Sequence, residues 1–170
     1  MLFEDTYHMP TNTSEGIYKE KGSKFIAYAF PVFSEKDVKE RLEEVRKKEY
    51  AARHHCFAYT LHPDKSAWRA NDDGEPANTA GKPILGQIQS KDLTNILIVV
   101  VRYFGGIKLG VGGLITAYRA AAADALDNIS IEKCFVKEIY EVAFQYPQMN
   151  EVMSLVKDKS LEVVNQDFQI

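Results

Sequence analysis

The segment Ile96–Val101, ILIVVV, constrains this chain more than any other. Six consecutive aliphatic residues suit a strand covered on both faces by other layers, because a half-buried strand would alternate apolar with polar residues. The run is too short to cross a bilayer, which takes about 20 apolar residues. Five glycines follow within YFGGIKLGVGG, residues 103–113. Beyond them Leu114, Tyr118, Ala122 and Leu126 recur at i, i+4, i+8 and i+12, one face of a helix starting near Gly112. The intervening alanines permit close packing of that helix on a sheet.

Other elements assemble around this unit. GIYKEKGSKFIAYAFPV reads as two strands joined near Gly22 and Ser23, the second apolar on both faces and therefore interior. Ser34 opens a helix: Asp37 completes a capping-box variant, Val38, Leu42 and Val45 form its apolar face, and Arg46, Lys47 and Lys48 suit its C-terminal dipole. Strands are expected over His54–Leu61 and Ser66–Ala70, then a short helix in TAGKPILGQI with Pro83 in its first turn. After Asn128 the pattern restarts. It predicts a long strand over Glu132–Gln145, a helix over Pro147–Lys159 with Met149, Val152, Met153 and Val156 on one face, and a strand over Leu161–Phe168.

Length and charge exclude some functions. A chain of 170 residues holds one ordinary domain, with room for a small second one. Its formal charge of −3 argues against an extended phosphate-binding surface, so any nucleic-acid contact must be local. Cys56 and Cys134 lie far apart with no CxxC, which argues for a reducing compartment and against a disulfide framework or structural zinc. No signal peptide is legible at the N-terminus, and a soluble cytoplasmic protein with no membrane association is expected.

Three stretches could carry chemistry. The glycine loop, with Lys108 inside it, lacks the spacing of a Walker or Rossmann phosphate loop. It reads either as a tight strand-to-helix turn or as a turn that also aims helix N–H groups at an anion. Gly81, Lys82 and Pro83 make a second such helix start, shortly after the carboxylates Asp72, Asp73 and Glu75. That acidic turn is either a solvated turn or, beside two cationic helix ends, a holder for magnesium. HHCFAYT is a poor metal or thiol site, because His54 and His55 point to opposite faces of a strand. His54 and Cys56 stand about 7 Å apart along it, too far for a nucleophile and its base. KGSKF adds Lys21 and Lys24 beside Phe25, which reads either as a basic and aromatic contact for RNA or, as is more common, simply as a solvated turn.

KGSKFIAYAFPV, ARHHCFAYTL, NDDGEPANTAGKPILGQI and VVVRYFGGIKLGVGGLITAYRAA, in this order, resemble the YigZ/IMPACT family over roughly Gly16 to Leu126. The resemblance implies a two-layer α/β (α+β) domain over 1–130, like ribosomal small-subunit proteins and the fourth domain of elongation factor G, with a left-handed βαβ crossover. It further implies a ferredoxin-like second domain, of which 131–170 supplies only the first βαβ segment. Bacterial members have suspected nucleic-acid or translation links. In the family resembled, eukaryotic relatives regulate translation under amino-acid starvation through a separate N-terminal module, which is not expected here. Asn78 departs from a common glycine, and Thr116 from a frequent arginine, with Arg119 one turn later as a substitute.

The leading expectation is a binding module with little or no catalysis that contacts RNA or a ribonucleoprotein. Its contacts would be Lys24, Lys82, Arg102, Lys108 and the helix start at Gly110, Gly112 and Gly113. No resident cofactor or metal ligand set is expected under this reading. A second reading is a magnesium-dependent enzyme for a small phosphorylated substrate, using Asp72, Asp73 and Glu75. A third is a protein-interaction module in which every motif is structural.

Overall fold

The computed structural model describes residues 5–168, which divide after Val136 into two units. The first contains β1 (Thr6–Pro10), β2 (Ser14–Glu20), β3 (Ser23–Pro31), α1 (Glu35–Lys48), β4 (His54–Leu61), β5 (Ala67–Asn71), α2 (Gly81–Ser90), β6 (Ile96–Tyr103), α3 (Gly110–Asp127) and β7 (Ile131–Phe135). Five strands form one sheet in the order β2-β3-β6-β4-β5, every neighbouring pair antiparallel. Since β3 and β4 both oppose β6, they run parallel to each other, and α1 crosses between them.

The central strand is the ILIVVV run, with Ile96–Val101 fully buried. Alternate residues face opposite cores. Ile96, Ile98 and Val100 join Phe25, Ala27, Ala29, Cys56 and Ala58 beneath α2 and α3. Leu97, Val99 and Val101 join Tyr28, Phe30, Phe57, Tyr59 and Leu61 beneath Val38, Leu42 and Val45 of α1. Helices therefore cover both faces, and the architecture has three layers rather than the expected two. The physical cause is that β3, β4 and β6 are apolar on both faces, so each face needs its own cover.

The face under α3 carries the small residues Ala27, Ala29, Cys56 and Ala58 beside Phe25, whose ring meets Tyr118 edge-on, and the small residues let the alanine-rich helix approach closely. At β2 the approach is backbone to backbone: a Cβ on Gly16 would lie 2.2 Å from the Ala125 nitrogen. The same helix satisfies the outer edge of β2, since Ile17 N–H donates to Asp124 Oδ2 at 2.8 Å and Ser14 Oγ donates to the Ala125 carbonyl at 2.7 Å. In α1 the Ser34 hydroxyl accepts from Asp37 N–H at 3.2 Å, as its capping signature requires. β5 runs one residue later than expected, and α3 begins at Gly110, two residues before Gly112.

β7 is much shorter than the strand expected over Glu132–Gln145 and pairs with β1, which is why it belongs to the first unit. The second unit contains a 3-10 turn, Tyr146–Gln148, and α4 (Met149–Asp158), which half-buries Met149, Val152 and Val156. Residues 161–168 form no strand, so the expected βαβ segment is not formed. Alternating apolar residues give a segment a face, but a strand also needs a neighbour to pair with.

Candidate functional site

Two stretches separated by 82 positions meet at one end of the sheet. The β2–β3 turn holds Lys21 and Gly22 at φ of 46° and 77°, the pair of positive angles that a two-residue hairpin needs. The loop after β6 lies against it: Gly105 N–H donates to the buried Ser23 hydroxyl at 3.1 Å. A Cβ on Gly105 would fall 2.0 Å from the Gly22 carbonyl carbon, so only glycine allows this approach. Gly106 and Gly110 take φ of 93° and 73°, the left-handed region. Gly112 has neither constraint, since an added Cβ there meets open space.

Around this junction the side chains are exposed. Lys21 and Lys24 rise from the hairpin, and Lys108 from the loop. Phe104, 58% exposed, follows β6 directly, and Ile107 and Val111 of the same loop and helix start are also exposed. No side chain caps the start of α3. On the α1 side of the sheet, burial alone would raise the Glu49 pKa, but hydrogen bonds from the Tyr103 and Tyr28 hydroxyls and the charges of Lys48 and Lys24 hold it below the ordinary carboxylate value.

Below the junction lies a buried polar chain. The Cys56 thiol donates to the Asp72 carbonyl at 3.0 Å and reaches the Tyr118 hydroxyl at 3.4 Å. Tyr118 in turn donates to Glu75 Oε1 at 2.7 Å. Arg102 Nη1 donates to the same carboxylate at 2.8 and 3.1 Å, with side chains 10% and 3% exposed for Arg102 and Glu75. The guanidinium carbon sits 5.8 Å from the Phe25 ring centroid and 5.5 Å from that of Phe104. Burial pushes the Cys56 thiol and the Tyr118 phenol far up, so both remain protonated donors.

The other carboxylates of the acidic turn are also engaged. Asp72 Oδ1 accepts from Ala80 N–H at 3.1 Å and Gly81 N–H at 2.8 Å, while its Oδ2 accepts from Asn78 N–H at 2.8 Å. The chain's own Asp72 therefore occupies the helix start that carries the exposed Lys82. Asp73 Oδ2 accepts from His55 N–H at 2.7 Å. Asp72, Asp73 and Glu75 thus serve three different sets of partners. Among the described residues, no group of three or more His, Cys, Asp or Glu is arranged to hold a metal ion.

Of the sequence candidates, Lys24 and Lys108 belong to the exposed junction, with Gly110, Gly112 and Gly113 at the adjoining helix start. Arg102 lies beneath, paired with Glu75, and Lys82 stands on the separate start of α2. The sequence reads Tyr118 as part of a packing stripe and Cys56 as a poor thiol site, so neither is legible as a member of this polar chain. The legible signal was Arg102 itself: two positions on from Val100, it must face the helices, and a buried arginine needs a carboxylate. Asn78 adopts φ of 64°, a conformation asparagine tolerates where glycine is common. Thr116 and Arg119 are both exposed on α3.

Residues 21–126 match the Impact N-terminal domain. An IMPACT family member from Haemophilus influenzae is 36% identical over 151 residues, covering 88% of this chain and 73% of that protein. The Escherichia coli IMPACT family member YigZ is also 36% identical over 151 residues, covering 88% and 74%. IMPACT family member YvyE of Bacillus subtilis is 34% identical over 136 residues; the match covers 80% of this chain but only 63% of that protein. A crystal structure of a hypothetical protein superposes with a TM-score of 0.76 at 32% identity, covering 98% of this chain and 82% of the other. Among the described residues, no helix is long and apolar enough to cross a membrane.

Proposed function

The chain belongs to the IMPACT family, and from that premise we propose that it is a cytoplasmic, translation-linked binding protein that contacts RNA or a ribonucleoprotein through the junction of its β2–β3 turn and glycine loop. The observation that carries this reading is the Ser23–Gly105 contact, which sets the turn bearing Lys21 and Lys24 against the loop bearing Lys108 and Phe104. Cations interleaved with exposed aromatic and aliphatic side chains suit a nucleic-acid strand, whose phosphates and bases need different partners. A net charge of −3 is compatible with a local patch of this kind. The proposed likeness of the domain to the fourth domain of elongation factor G points the same way.

Within the patch the contributions are unequal. Arg102 is neutralised by Glu75, and the start of α2 already holds Asp72, so Lys24, Lys108 and the uncapped start of α3 contribute most. RNA affinity measured from low to moderate salt tests the reading. Affinity is expected to fall steeply with salt, and Lys24→Ala with Lys108→Ala is expected to lower it and flatten the salt slope by about 1.4, roughly 0.7 per lost phosphate contact on a single strand. Adding Lys82→Ala should change it less. Unchanged affinity in the Lys24/Lys108 double variant would overturn the proposal.

A further inference from the structure

We infer that the RNA taken by this surface is single-stranded, and that Phe104 is the platform on which one unpaired base stacks. The inference rests on the RNA-binding reading above and adds to it the form of the ligand and the residue that selects it.

Phe104 is a large aromatic ring left 58% exposed at a position the fold holds firmly. Tyr103 before it lies in the β3–β6 ladder opposite Lys24, and Gly105 after it is fixed by Ser23 and by backbone contact with Gly22. The Arg102 guanidinium lies near both the Phe104 and the Phe25 rings, and Glu75 fixes its position. A ring supported in this way is already ordered before ligand arrives, so stacking on it costs little conformational entropy. Bases inside a duplex stack on each other and offer no free face, whereas an unpaired base does.

The surroundings suit the rest of the strand. Lys21, Lys24 and Lys108 provide charge complementary to phosphates, and Ile107 and Val111 extend the apolar surface. Gly112 is a glycine that the fold does not require on grounds of φ or space. Its lack of a side chain leaves the start of α3 open to close approach by a ligand.

The test uses the full chain with a fluorescently labelled 12-nucleotide single-stranded RNA and the duplex of the same sequence. Tighter binding of the single strand is expected, and Phe104→Ala should weaken it by about 5- to 150-fold, the range for loss of one base–aromatic stack. Its salt slope should not change, because no phosphate contact is lost. Phe104→Trp should retain affinity, and its emission should be quenched on binding beyond any change in the wild type, whose one tryptophan is Trp68.

Full affinity in Phe104→Ala alongside weakened binding in Lys108→Ala would overturn the platform and leave the RNA reading standing. So would a Phe104→Trp protein that binds without quenching. Duplex bound as tightly as single strand would overturn the selectivity. Binding of neither RNA at low salt would overturn both this inference and the RNA reading, and would leave a protein as the partner of this surface.

Discussion

Arg102 shows how strand parity decides what a cation does. Tyr103 beside it faces α1, whereas Arg102 faces the α2 and α3 layer, where a bare guanidinium would be costly. Glu75 pairs with it through Nη1 and accepts from Tyr118 as well, and the pair is almost wholly buried, although Arg102 Nε has no hydrogen-bond partner among the described residues. Removing one partner leaves an uncompensated charge, so Glu75→Ala should lower unfolding stability by about 3–5 kcal/mol. Replacing both partners, with Glu75→Met and Arg102→Met, should cost far less. Urea denaturation midpoints at unchanged slope distinguish the two outcomes. In the sequence Arg102 is legible as a cation near a glycine loop and Glu75 as part of an acidic turn. Their pairing is not, because it joins positions 27 apart through the register of β4 and β6 and the placement of α3.

At the scale of elements, the glycine loop separates into positions with different duties. Gly105→Ala would drive the loop and the hairpin apart, since the new methyl group would overlap Gly22. It should destabilise the protein and weaken RNA binding together. Gly112→Ala meets open space inside a helix, so it should stabilise by up to about 1 kcal/mol while weakening RNA binding. Thermal denaturation paired with an affinity measurement on each variant checks both expectations. Periodicity made most of these elements legible: the capped α1, the double-faced β3 and β6, and the α3 stripe all stand close to their expected places. It could not report how many layers the sheet carries, because an apolar face states only that something covers it. Nor could it form strands within 137–145 and 161–168, where alternation is present but no paired neighbour is.

Across the whole molecule, burial is concentrated in the first unit. Among the described residues, all of the buried core residues precede the division at Val136, the last being Ile129. A chain shortened after Val136 should therefore keep its melting temperature within about 4 °C of the full chain, a shift that corresponds to roughly 1 kcal/mol. Differential scanning calorimetry of the two proteins decides this, and a larger loss would mean that the second unit contributes to the core. The two cysteines also divide the molecule. Cys134 is half-exposed on β7, whereas Cys56 is fully buried and donates to the acidic turn. Under alkylation the chain should label first at Cys134, and much more slowly at Cys56, whose thiol is held protonated by burial and donates to the Asp72 carbonyl, so that it reacts only when the layer opens. The protein thus carries its own clock: the slow labelling phase times each opening of the layer between α3 and the sheet, with no probe introduced.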